Sequence, residues 1–197
     1  HAVDVFVSSN VTMANLDTTL GNSTWTVAGN WDHQNIGTID NSTGVVILTG
    51  TNKTFRGGNN SKPIYTVRIE GEITYPANTA GLTIVVIGTM TIDTISHFSD
   101  LHVKSGGRIT GGGTMANNSS AIVSEQSGII DVNLFSITNT ISSFSPGQYD
   151  SPLVQFRNIS NGGRTVTFNN GKFIFTGDVV IVSNGLGTYV IANNTNN

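Results

Sequence analysis

Val3, Val5 and Val7 alternate with Asp4, Phe6 and Ser8 at the start of the chain. This period of two puts apolar side chains on one face of a strand. Trp25 with Val27, and Tyr65 with Val67 and Ile69, repeat the pattern, with Arg68 and Glu70 set opposite. The alternation groups Trp25 and Tyr65 with buried aliphatics. The runs Val45–Leu48 and Leu82–Ile87, the latter with Thr83 inside it, are apolar at both parities, which predicts strands covered on both sides. Further strands are predicted at 89–94, 101–104, 121–124, 129–135, 153–156, 165–168, 172–176, 179–182 and 188–191. Hardly any segment reads as a helix.

Small residues punctuate these strands. Gly57-Gly58, Gly106-Gly107, Gly111-Gly112-Gly113 and Gly162-Gly163 mark turns, as do Asn161-Gly162, Asn170-Gly171 and Asn184-Gly185. Asn-Gly accepts the positive φ of a tight hairpin, and Gly alone permits close backbone approach at a corner. "SGGRIT" at 105–110 is echoed by "NGGRTV" at 161–166. Short strands between such corners fit a β-sandwich joined by hairpins or a β-solenoid of stacked rungs. The expected fold is therefore all-β, solenoid or sandwich, with an extended N-terminal strand. The polar stretch "DTTLGNST" separates that strand from the one at Trp25. The chain accordingly divides into an N-terminal strand or arm (1–19), one all-β domain (20–192) and a polar tail (193–197). Val3, Val5, Phe6 and Val7 are the candidate subunit-interface residues: the strand either leaves its domain to complete a neighbour's sheet edge, or pairs within its own chain.

Composition narrows the function. Only 11% of the 197 residues are charged, against about a quarter in ordinary domains, and the net charge is −3. Nine Lys plus Arg scattered along the chain form no basic stripe, so a nucleic-acid partner is not expected. No apolar run is long enough to cross a bilayer as a helix. The absence of cysteine excludes disulfides, zinc-thiolate sites and thiol catalysis. His1 in place of Met is read as signal-peptide cleavage or as a start inside a longer chain. N-x-[ST] triplets begin at Asn10, Asn22, Asn41, Asn52, Asn59, Asn117, Asn118, Asn158 and Asn193. They arise by chance in so Asn- and Thr-rich a chain, or mark a glycoprotein. Both readings favour an exposed, extracellular β-protein. Asn59, Asn118 and Asn158 lie beside turn-forming residues, which predicts solvent-facing side chains.

The segment "NWDHQNIGTIDNSTGVVILTGTNKTFRG" resembles the N-W-x-N-x-G-T-x-x-x-x-G-x-V-x-x-x-G-x-x-x-T repeat modules of large microbial surface proteins and adhesins. Trp31, Gly37, Thr38, Gly44, Val46, Gly50 and Thr54 stand at matching positions, and the resemblance covers about residues 29–56. It implies β-solenoid rungs in an extracellular stalk or adhesin. "LHVKSGGRITGGGTM" is similar in texture to parallel β-helix proteins generally. A rung buries its apolar face only against neighbours, so an open end must be capped or paired.

Catalytic and metal chemistry find little support. The acids Asp4, Asp17, Asp32, Asp40, Glu70, Glu72, Asp93, Asp100, Glu125, Asp131, Asp150 and Asp178 include no adjacent Asp-Asp pair, and no Gly-His-Gly element accompanies them. Glu70 and Glu72, two apart, are expected to share one solvated strand face rather than to flank a scissile bond. Arg108 has no cluster of calcium-binding acids near it in sequence. His97 and His102 bracket Asp100, but five residues along a strand put the two rings on opposite faces. An N-terminal His1 copper site is a remote option, because "HAVDVFV" does not resemble the usual start of copper monooxygenases. Trp25, Trp31, Tyr65, Tyr75 and Tyr149 would form a sugar-stacking platform if exposed; Trp31 and Tyr149 lie in loop-like settings. The expected function is a non-enzymatic extracellular structural protein: a filament or stalk subunit that binds copies of itself by strand exchange. No catalytic, cofactor-binding or metal residue is assigned. The alternatives are an adhesin or carbohydrate-binding module, with surface glycans as partners, and then a β-helix polysaccharide-degrading enzyme.

Overall fold

The computed structural model of the chain describes residues 3–15, 17–40, 43–57, 64–75, 81–124, 128–137, 141–144, 146–158, 164–168, 172–183 and 189–193. Among them there is no helix, and every strand pairing is parallel. The rungs begin with β1 (Asp4–Val7), β2 (Val11–Ala14) and β3 (Thr18–Thr19), beneath β4 (Thr24–Val27), β5 (Trp31–Asn35) and β6 (Ile39–Asp40). Above them lie β7 (Val45–Leu48), β8 (Lys53–Arg56), β9 (Ile64–Ile69), β10 (Glu72–Thr74), β11 (Gly81–Val86) and β12 (Thr89–Thr91). The long strands β13 (Ile95–Val103), β14 (Arg108–Ser124) and β15 (Ile129–Ile137) follow, then β16 (Ile141–Phe144), β17 (Gly147–Tyr149), β18 (Leu153–Asn158) and β19 (Arg164–Phe168). The last rung holds β20 (Phe173–Phe175), β21 (Asp178–Ser183) and β22 (Tyr189–Asn193).

One ladder runs the length of the molecule, linking Val5, Trp25, Val46, Val67, Ile84, Leu101, Ile122, Phe144, Phe168 and Asn193, with register shifts within the β13–β14 and β16–β19 pairings. Parallel neighbours need a crossover rather than a hairpin. The chain therefore winds as a β-solenoid, and the sandwich alternative falls.

The core is a set of columns, each contributed one residue per rung. Val27, Leu48, Ile69, Val86 and Val103 stack inward, all fully buried. On the next face Ile73, Met90, Ile109, Ile130 and Tyr149 do the same. Toward the C-terminal end the columns turn aromatic: Phe144 stacks on Tyr149 with ring centroids 5.0 Å apart, and Tyr149 on Phe175 at 5.3 Å. Outward positions shield one another along the column, so Val45, Ile47, Val85 and Ile87 are half-buried. This corrects the expectation that Val45–Leu48 and Leu82–Ile87 are covered on both sides, because a single-layer coil has only one interior.

Glycine makes one corner possible. Gly50, Gly71, Gly88 and Gly107 each accept a hydrogen bond from the following rung: Glu72, Thr89, Arg108 and Ile129 donate at 2.8–3.0 Å. A Cβ on Gly71 would collide with the Gly50 carbonyl oxygen, and one on Gly88 with that of Gly71. The Gly111-Gly112-Gly113 triplet is no chain reversal: it lies inside β14, where Gly111 takes φ +121° and the register shifts. The N-terminal segment belongs to the same stack, with Asp4 to Val7 pairing Thr24 to Val27. Just before the division expected at residues 19 and 20, Thr18 and Thr19 pair Ile39 and Asp40. Of the tail, Asn193 pairs Phe168 and 194–197 lie outside the described residues.

Candidate functional site

The two ends of the solenoid carry its unspent apolar surface. Val154 and Phe156 are buried in the columns they share with Val179 and Ile181 of the last rung. Val179 and Ile181 are nevertheless 45% and 53% exposed, because among the described residues β21 has a paired strand, β18, on one side alone. Ile174 and Val180 are exposed beside them. At the other end Val3 is exposed and Phe6 is 78% exposed, while Val5 and Val7 are half-buried under β4. Apart from Tyr65, every large exposed hydrophobic among the described residues lies on the first or last rung. Sequence reading singled out Val3, Val5, Phe6 and Val7 but missed Ile174, Val179, Val180 and Ile181. It found a strand at 179–182, yet nothing local distinguishes a last rung from an inner one.

A polar column joins these ends along the outside of one face. Asn10 Oδ1 accepts the Asn30 backbone N–H at 2.8 Å, and Asn30 Oδ1 accepts that of Thr54 at 2.9 Å. Thr54, Thr74, Thr91, Thr110 and Asp131 continue it in register. Asp150, whose N–H reaches the Ile130 carbonyl, and Thr176, whose hydroxyl donates to Asp150 at 3.2 Å, complete it. Near its lower end a cleft of about 250 Å³ is lined by Asn10, Thr12, Asn30, Asp32, Thr54 and Arg56. Asp32 and Arg56 face each other there at 4.0 Å.

The other candidates scatter. Trp31, Tyr75 and Tyr149 are fully buried in the core, so they offer no platform to a sugar. Trp31 and Tyr149 lie on strands rather than in loops. Burial pushes the Tyr149 phenol above its ordinary range. Tyr65, grouped by alternation with the core, is 45% exposed: the inward positions of β9 are Ile64, Val67 and Ile69, and the alternation breaks at Tyr65. Trp25 is half-buried, edge-on to Trp31 at 5.9 Å. Glu70 and Glu72 do not share a strand; Gly71 turns the corner between β9 and β10, and Arg68 holds Glu70 at 2.7 Å. Arg108 pairs Asp131 across rungs at 2.5 Å.

Asp100 and His102 are half-buried outward residues of β13, and the His97 side chain lies outside the described set. No cluster of three metal-binding side chains occurs among the described residues. His1 lies outside the described residues.

Of the sequon asparagines, Asn10, Asn22 and Asn52 are exposed, with Asn22 Oδ1 accepting the Thr43 hydroxyl at 2.6 Å. Asn41 and Asn59 lie outside the described residues, as do the side chains of Asn117, Asn118, Asn158 and Asn193. Among the described residues no helix is long and apolar enough to cross a membrane.

No known protein family, curated protein sequence or solved structure matches the chain.

Proposed function

We propose that the chain is a non-enzymatic structural subunit of an extracellular filament or stalk, as the module resemblance at residues 29–56 also suggests. The observation that carries this reading is the exposure of Val179 and Ile181 in columns where Val154 and Phe156 are buried. An added rung would bury them at about 1.5–3 kcal/mol each before ordering costs. Because β1 pairs within its own chain, assembly proceeds by stacking of end rungs rather than by exchange of an arm. A column mainly of Asn and Thr, with Asp131 paired to Arg108, and a low charge density keep the outer faces polar without strong repulsion between subunits. Electron microscopy of the purified chain and of native material tests this reading. Filaments one solenoid wide support it, and isolated particles at every concentration contradict it.

A second reading, a carbohydrate-binding module, is favoured by the cleft beside Asp32 and Arg56, whose amides, hydroxyls, carboxylate and guanidinium match sugar hydroxyls. Glycan-array binding by a monodisperse monomer, lost in Asp32→Ala, would support it over the first.

A further inference from the structure

We infer that a second copy of this chain docks head to tail on the solenoid, with Thr176 of one copy lying beneath Asn10 of the next. This rests on the structural reading above and names its partner and register.

The polar column sets the rule. Each asparagine gives its side-chain oxygen to the backbone N–H one rung above: Asn10 to Asn30, and Asn30 to Thr54. The Asn10 N–H, one rung lower in the same position, has no acceptor among the described residues. At the other end of the column stands Thr176. Its hydroxyl hydrogen goes to Asp150 at 3.2 Å, and its oxygen keeps lone pairs for a donor above. Stacking Thr176 beneath Asn10 repeats the column's own bond.

Direction follows from the ladder. All pairings are parallel, so a copy that continues them presents its last rung to the first rung of the next. Head-to-head contact would reverse the strand sense and place two lower edges together. The same seating brings a new rung over Val179 and Ile181 and beneath Val5 and Val7. Such a contact uses different surfaces on the two copies, so it propagates along the axis unless a rotation closes it.

The chain contains no cysteine, so an introduced pair reports the contact without background. Neighbouring strands lie about 4.7–4.9 Å apart, within the Cα separation a disulfide spans. Asn10→Cys with Thr176→Cys, oxidised mildly after assembly, gives a ladder of covalent oligomers on a non-reducing gel, while either single variant gives none. Ile181→Asp, a change at an exposed position, raises the concentration at which oligomers appear by about tenfold or more and keeps the β-type circular dichroism spectrum. Dimers from Asn10→Cys alone, or filaments that never yield the mixed ladder, overturn this register and leave the structural reading standing. A chain that stays monomeric at all concentrations overturns both.

Discussion

Gly88 sits directly over Gly71, so close that a Cβ on Gly88 would collide with the Gly71 carbonyl oxygen. Gly88→Ala therefore forces the corner apart and is expected to destabilise the fold by about 1–3 kcal/mol. Gly112→Ala, at an exposed position with no atom within 4 Å of the new Cβ, is expected to stay within about 0.5 kcal/mol of the parent. Urea unfolding of the two variants checks the contrast; equal costs would remove the close-approach explanation.

The Trp31 indole donates to His33 Nδ1 at 2.8 Å, both side chains being fully buried. His33→Phe leaves that N–H without its acceptor in the interior and is expected to cost about 1–3 kcal/mol. Trp25→Phe is expected to cost less than Trp31→Phe, because the buried Trp25 Nε1 has no hydrogen-bond partner among the described residues. Paired unfolding curves decide it, and a His33→Phe protein as stable as the parent would contradict the assignment.

Tyr149 gives the stability a pH dependence on the alkaline side. Burial raises its pKa in the folded state, while in the unfolded chain the phenol ionises near pH 10. The raised value contributes stability below about pH 10, and this is lost as pH climbs past it, because only the unfolded state then releases the proton. The urea midpoint should fall between about pH 9.5 and 11.5, and Tyr149→Phe should flatten that fall. An unchanged slope in the variant would assign the alkaline loss to other groups.

Much of this architecture was legible in the residues. The alternation predicted from residue 3 survives at Val5 and Val7, half-buried in β1 between exposed Asp4 and Phe6, while Val3 is exposed; Val27 is as buried as its parity implied. Tyr65 defeated the same logic because period two holds only along a straight strand, and a solenoid turns a corner every few residues. The choice between sandwich and solenoid turns on pairing partners about 20 residues away, which no local pattern encodes. One signal does encode it: Gly29, Gly50, Gly71, Gly88, Gly107 and Gly128 recur every 17 to 21 residues. Doublets such as Gly106-Gly107 obscure that spacing locally. The assembly ends were half legible. Val3 and Phe6 stand out at the start of the chain, whereas Ile181 looks like any inner-rung residue until its column is seen to stop.

Glycosylation and stacking compete at Asn10. Its side chain is exposed at the edge of the first rung, within the sequon Asn10-Val11-Thr12 and beside the surface proposed to receive Thr176. If the native protein carries sugars, Asn22 and Asn52 are expected to be modified sites in assembled material, and Asn10 is expected to be unmodified. Site-resolved mass spectrometry of polymer against unassembled chain checks this. A glycan on Asn10 throughout the polymer would contradict the proposed contact.

The most direct measurement is a cryo-electron microscopy map of the assembled protein that resolves individual rungs across a subunit boundary. The expected result is the rung spacing of about 4.7–4.9 Å continuing without a break from β20 and β22 of one copy into β2 and β1 of the next. A gap, an antiparallel junction or side-by-side contact of the outer faces at that boundary would contradict it.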